Sequence, residues 1–346
     1  MKVAITGITG FIGSNIARKL LKEEHEIFGL SRHVTGRALD SINEIRDKIS
    51  LLSCNLTEYT SVKEALRKIE PDAVLHLGAM SPVRLSFEHP FEYQQTNYIG
   101  TINIAEALME LYGPQKVRLV VASTAEVYGI QKEKPFTEDL RLEPSSPYAV
   151  SKAAMDNYLR MLFKVYDFNG VILRNSNTFG RKNDNNFFTE YLISKMIANE
   201  EIYIGAPDSI RDYIYVDDHV NSYLLAMKIQ EAKGNVFNIA GNKGYSNKEW
   251  ALKIANLMNF PKEKIHFGKY PPGYPSRPIE SDQPYLVLET SKAEQILGWK
   301  QTISVEEGLI KTIDYLKNKY LENKCGISEE YLKEKIKEVL INWRKE

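Results

Sequence analysis

The sequence predicts an α/β fold: a doubly wound parallel sheet with helices on both faces, followed by a smaller C-terminal lobe. Three observations predict it. Short β-branched runs alternate with longer amphipathic segments through the first 176 residues, the pattern of parallel strands joined by crossover helices. A glycine-rich turn, Thr6-Gly7-Ile8-Thr9-Gly10-Phe11-Ile12-Gly13, lies between the first strand and the first helix. Beyond about residue 177 the rhythm breaks into loops rich in Asn, Pro and Gly.

Taken in order, VAIT (3–6) leads into FIGSNIARKLLKE, where apolar residues recur at helical spacing. EIFGL (26–30) and ISLLS (49–53) are further strands, SVKEALRKI (61–69) is a helix, and AVLHL (73–77) is a strand. TINIAEALMELY (101–112) is helical, VRLVVAS (117–123) is a strand, SPYAVSKAAMDNYLRMLFKVY is a long helix, and GVILRNS (170–176) is a strand. Later, RKNDNNFF and KYPPGYPSRP (269–278) carry loop chemistry, while NVFNIAG (235–241) is expected to return to the main sheet. SVEEGLIKTIDYLKNKYLE is a further helix. The last segment, SEEYLKEKIKEVLINWRKE, has a helical stripe at Leu332, Ile336, Val339 and Leu340, which either covers its own core or docks another chain.

The 346 residues carry 45 Lys and Arg against 45 Asp and Glu, so the chain lacks a basic protein's general attraction for nucleic acid or an anionic membrane. Any anionic ligand must be held by local groups. Two isolated cysteines, Cys54 and Cys325, offer neither metal-ligand spacing nor a disulfide framework, which predicts a reducing compartment and no metal. The N-terminal residues lack the regions of a secretory signal, and no stretch approaches the ~20 apolar residues that span a bilayer, so a soluble cytoplasmic protein is expected.

Glycines at 7, 10 and 13 let the chain turn tightly, bring backbone N–H groups close to a pyrophosphate and pack the helix on the sheet; the helix N-terminus favours negative charge. The second strand ends at Ser31 and Arg32, where an acid for a ribose hydroxyl is expected roughly 20 residues after the glycines. A hydroxyl and a guanidinium suit a 2′-phosphate, which predicts NADP in preference to NAD; the alternative is that Arg32 is a solvated loop charge. Farther on, Tyr148 and Lys152 are four apart, on one helical face. An ammonium beside a phenol favours the phenolate and lowers a pKa that starts at about 10, giving a base usable near neutral pH. Thr124, at a strand's end, can hydrogen-bond a substrate hydroxyl and complete a proton path.

TGxxGxxG at 6–13, NxxGT at 97–101, the Ser/Thr-containing strand end and YxxxK at 148–152 resemble the extended short-chain dehydrogenase/reductases, and within them the nucleotide-sugar epimerase/dehydratase branch, from residue 1 to about 316. The resemblance implies a Rossmann-type NAD(P)-binding domain over 1–176, completed by about 210–241. It implies a nucleotide-sugar-binding lobe from 177–209 and 242–316, with a helical extension over 317–346. Gly7, Thr9, Gly10, Phe11, Ile12 and Gly13 would hold the cofactor, and Asn55 and Leu56 would lie beside its adenine, although Asn55 also fits a plain turn residue. Tyr148 would take the proton from a sugar hydroxyl while hydride passes to the cofactor, and Lys152 would hold the nicotinamide ribose. Asn97 would lie near the active site, or satisfy buried backbone groups.

Members of this branch diverge once the C4 hydroxyl is oxidised. The 4-ketone acidifies C5, so a nearby carboxylate can remove that proton and drive loss of the C6 hydroxyl. In 4,6-dehydratases the glutamate of Thr-X-Glu is that base, and Glu126 occupies the position. Ala125 stands where several dehydratases carry an Asp that protonates the departing hydroxyl, so that proton would come from water or Tyr148. Dehydration is the expected reaction, with 4-epimerisation, decarboxylation and reduction of a 4-keto-6-deoxysugar as alternatives. A non-enzymatic dinucleotide sensor would usually lack the tyrosine or the lysine.

In the lobe, SNTFG places Asn177 where the branch has an asparagine on the substrate diphosphate, and IRDYIYVDD (210–218) matches RDxxYVxD. Its arginine, Arg211, looks like a phosphate ligand, for which the forked guanidinium is suited. Asp217 and Asp218 are expected to cap the next helix. Arg277, in the Pro-rich loop, would be a second phosphate arginine or a surface residue. Neither the base nor the sugar is readable. The branch commonly pairs through the helices that carry NxxGT and YxxxK, so a homodimer is expected.

Overall fold

The computed structural model describes residues 1–181, 187–241, 243–270, 278 and 281–325. Its first half runs β1 (Lys2–Thr6), α1 (Phe11–Lys22), β2 (Glu26–Ser31), β3 (Ser50–Ser53), α2 (Tyr59–Ile69), β4 (Ala73–His76), α3 (Pro90–Tyr93), α4 (Gly100–Tyr112), β5 (Arg118–Thr124), α5 (Pro147–Tyr166) and β6 (Gly170–Asn175). Its second half runs β7 (Asn177–Phe179), α6 (Phe188–Ile197), β8 (Ile202–Ile204), β9 (Ile210–Tyr215), α7 (Val216–Lys228), β10 (Val236–Ile239), β11 (Gly244–Ser246), α8 (Asn247–Met258), β12 (Ile265–Phe267), β13 (Tyr285–Leu286), α9 (Ser291–Leu297) and α10 (Val305–Cys325).

Seven strands form a parallel sheet in the order β3-β2-β1-β4-β5-β6-β10, the Rossmann-type arrangement. The strands read as continuous apolar runs because both faces are covered. Val3 and Ile5 point into one core with Ile16 and Leu20 of α1, while Ala4 between them points into the other with Val74, Ile104 and Leu108. NVFNIAG returns as expected: Val236 pairs with Ile172 and Ile239 with Asn175. The strand order reverses between β1 and β4, so their C-terminal ends splay apart into a crevice.

The second half is more regular than its sequence suggests. β9 pairs with β7 and β13 in parallel and with β11 antiparallel, and β8 pairs with β12. α7 begins directly after β9 and ties back to α1 through Lys228 and Glu23. The stripe at Leu332, Ile336, Val339 and Leu340 lies outside the described residues.

A buried ionic cluster sets the walls of the crevice. Arg174 on β6 and Asp156 on α5 have no exposed side-chain surface and pair through two bonds of 2.9 Å. The same guanidinium donates to the Tyr128 hydroxyl and the Glu138 carbonyl, and Tyr128 donates to Asn238 on β10. One side chain thereby fixes α5, the chain after β5 and the sheet edge relative to each other.

Candidate active site

A cavity of about 1240 Å³ opens at the C-terminal ends of β1, β4 and β5 and continues over the second lobe. Its floor begins at the glycine-rich turn. Gly7 has φ +67°, and a Cβ there would lie 2.8 Å from the Gly78 nitrogen; a Cβ at Gly13 would lie 2.2 Å from the Gly7 oxygen. Gly10 N donates to the Gly7 carbonyl, closing the turn. The N–H groups of Phe11, Ile12 and Gly13 occupy the first turn of α1, where intrahelical acceptors are missing, and these residues line the cavity. No acidic side chain stands in that turn to oppose an anion. The cradle therefore fits a dinucleotide pyrophosphate.

Thr9, Ser31, Arg32, Asn55 and Leu56 lie outside the wall of this cavity. The Thr9 carbonyl accepts from Ser41, Ser31 donates to the His33 carbonyl, and Arg32 is exposed at the end of β2. Asn55 is engaged in a turn: its oxygen accepts from Thr57 and its nitrogen donates to Glu58, ahead of α2. Leu56 packs so closely on Gly78 and Gly100 that a Cβ at either glycine would touch it.

The structure brings Thr124, Glu126, Tyr148 and Lys152 together in the cavity wall. Thr124 ends β5. Ser146 caps α5 by accepting from Ala149 N, which puts Tyr148 in the helix's first turn and Lys152 one turn later. The Thr124 hydroxyl accepts from Glu126 N–H and hydrogen-bonds the Tyr148 phenol oxygen. The expectation that Lys152 lowers the phenol's pKa is corrected here. Burial pushes Tyr148 well above its ordinary value, Thr124 opposes that, and the Glu126 charge adds to it. Lys152 spends a hydrogen bond on the Ala122 carbonyl (2.8 Å), and its burial pulls its own pKa down to about 8.

Asn177 and Arg211 line the lobe side of the cavity. Asn177 donates to the Asp212 carbonyl, and Arg211 reaches Asp282 at 3.4 Å. Arg277 lies outside the described residues. Asn97 does not line the cavity; of its two expected roles, near the active site or satisfying buried backbone groups, the structure shows the second. It is fully buried on a π-helical turn, Gln94–Ile99, where it accepts from Met80 N and donates to the Met80 carbonyl and Ser151. It ties the loop after β4 to α5. Asp217 and Asp218 stand in the first turn of α7 but neither caps it. Asp217 pairs with Arg181, and Asp218 accepts from Thr302 and Ile303, clipping down the chain before α10.

Two functional-site features escape the sequence reading. His76 lies in a buried chain running from Gly78 N–H to Thr6, Thr6 to His76, His76 to Thr101, and Thr101 to the Asn97 carbonyl. Gln283 brings its amide to Glu126 from the far lobe. The NxxGT spacing signals the first of these, since Asn97 and Thr101 share a helical face; nothing local signals the second.

A family profile describing GDP-mannose 4,6 dehydratase matches residues 4–312. The chain is 29% identical to a UDP-glucose 4-epimerase of Mycolicibacterium smegmatis, over 92% of this chain and 99% of that protein. It is also 29% identical to a dTDP-glucose 4,6-dehydratase of Salmonella typhimurium, covering 93% of each. A UDP-glucose 4-epimerase from Thermotoga maritima, solved with UDP-glucose, superposes with a TM-score of 0.82 at 25% identity, over 92% of this chain and 100% of that one. The glycine cradle, the Thr-Tyr-Lys wall and the profile match agree: the chain belongs to the GDP-mannose 4,6-dehydratase family, within the extended short-chain dehydrogenase/reductases.

Proposed function

We propose that this enzyme, a nicotinamide-dinucleotide-dependent modifier of nucleotide sugars, is a nucleotide-sugar 4,6-dehydratase. The observation that carries the reading is Glu126, a carboxylate two residues beyond Thr124 in the same cavity wall as Tyr148. When bound, the dinucleotide would supply a hydride acceptor, with Tyr148 and Lys152 the residues nearest the chemistry. Tyr148 takes the C4 hydroxyl proton, with Thr124 holding that hydroxyl in line. Lys152 orients the same end of the site. Glu126 removes the C5 proton, and Tyr148, now protonated, gives its proton to the departing C6 hydroxyl, a task Ala125 cannot perform; C6 then takes back the hydride and Glu126 returns its proton to C5, so that water is the only group lost. Asn177, Arg211 and Arg277 are our candidates for the diphosphate, and Asn55 and Leu56 for the adenine side of the cofactor.

The epimerase relatives favour a second reading, 4-epimerisation, in which Glu126 has no proton to take. Mass spectrometry of products from a panel of dTDP-, UDP- and GDP-sugars separates the two. Loss of water supports the dehydratase, whereas an unchanged mass with inverted C4 refutes it. Ser31 and Arg32 at the end of β2 support NADP as the preferred cofactor, through a guanidinium on the 2′-phosphate. Dissociation constants measured by calorimetry are expected to be lower for NADP than for NAD; tighter NAD binding refutes the preference. A cytoplasmic homodimer fits the isolated cysteines and the apolar side chains exposed on α5. Among the described residues no helix is long and apolar enough to cross a membrane.

A further inference from the structure

Gln283 lies between Asp282, the partner of Arg211, and β13, in a segment that belongs to the lobe and not to the catalytic wall. It is fully buried. Its Nε2 stands 3.0 Å from Glu126 Oε2 and 3.3 Å from both the Glu126 carbonyl oxygen and the Ser145 hydroxyl. Its Oε1 has no partner among the described residues. A buried amide with a stranded acceptor costs free energy that an apolar side chain of the same size avoids, so packing alone does not explain a glutamine here. The orientation follows from chemistry: an ionised carboxylate offers only lone pairs, so the nitrogen faces it.

That donor does two things for a base. It favours the charged form of the carboxyl, which is the form that accepts a proton. It also fixes the direction in which a side chain with three rotatable bonds presents its oxygens. The titratable group facing Glu126 from α5 is Tyr148, whose phenol is pushed further up by the Glu126 charge. An amide donor to the carboxylate draws that charge toward itself and eases the conflict between the two proton acceptors.

We infer that Gln283 is a positioning residue, delivered by the substrate lobe, whose amide holds Glu126 ionised and aimed as the base for C5. The inference rests on the dehydratase reading. The test is Q283M, which keeps the side-chain length and removes the donor, in protein labelled with ¹³C at the glutamate carboxyl. The Glu126 signal is identified by its loss in E126Q, and melting and NAD binding report folding. The Glu126 titration midpoint is expected to rise by about one pH unit in Q283M, and kcat on dTDP-glucose or UDP-glucose to fall about tenfold with KM little changed. Q283E, which keeps a polar group of the same length, is expected to raise the midpoint further by setting a second carboxylate against the first. A Glu126 midpoint unchanged in both variants overturns the inference. Should the wild type lose no water from any nucleotide sugar, the dehydratase reading fails on its own account, and the titration decides the role of Gln283 separately.

Discussion

His76 illustrates how much of this site is built by residues that do no chemistry. In the donor chain through Thr6, His76 and Thr101, the imidazole accepts at Nδ1 and donates at Nε2, so it must be neutral. Burial, with a smaller contribution from Lys152, pulls its pKa from 6.5 down to about 3. A base whose folded pKa is depressed contributes stability that is present above its unfolded pKa and is lost as pH falls, here from 6.5 toward 3. Comparing wild type with H76Q cancels the other titrating groups. Between pH 6 and 4 the wild-type unfolding free energy is expected to fall about 1.4 kcal/mol more per pH unit than that of H76Q, in urea titrations. Parallel pH dependences contradict the neutral relay. At this scale the sequence marked Asn97 and the NxxGT spacing as important but not how. Both Asn97 and Thr101 are buried, Asn97 holding the loop after β4 and Thr101 bonding the Asn97 carbonyl, whereas Tyr148 and Lys152 were readable because their spacing puts them on one helical face and Thr124 because it ends a strand.

At the scale of elements, the first six strands and the helices between them were legible because each buries a continuous or periodic apolar pattern. The lobe was not, for two physical reasons. β7, β8, β11 and β12 have three residues each, too few to show a period. β9 carries Arg211 and Asp212, so its sequence shows a motif and not an apolar strand pattern, yet both are buried where three neighbouring strands pair with it. The Arg174–Asp156 pair was likewise invisible, since the partners come from β6 and α5. Removing one member leaves the other buried and uncompensated, so R174M is expected to destabilise the fold by about 3–5 kcal/mol. The double variant R174M/D156L is expected to recover much of that loss, because no charge is then stranded. Thermal or urea denaturation reads both; R174M within about 1 kcal/mol of wild type contradicts the view that this pair locks α5 to the sheet.

For the whole molecule, the balanced charge means that, on the proposed function, affinity for two anionic ligands would rest on one helix start and a few cationic side chains. For the homodimer proposed above, the same balance points to apolar surface as the contact. Val150, Met161, Val165 and Tyr166 are exposed along α5, Val165 at 61%. V165E is expected to convert a dimer to monomers in sedimentation experiments, and a wild-type monomer would refute the proposed pairing. The central claim is the assignment of Glu126, and the most direct measurement on it is E126Q mixed with a nucleotide sugar that the wild type dehydrates. The absorbance of reduced nicotinamide is followed alongside product mass. The account predicts that C4 oxidation persists, with reduced cofactor appearing, while loss of water is abolished. Unchanged formation of the 4-keto-6-deoxy product by E126Q would contradict it.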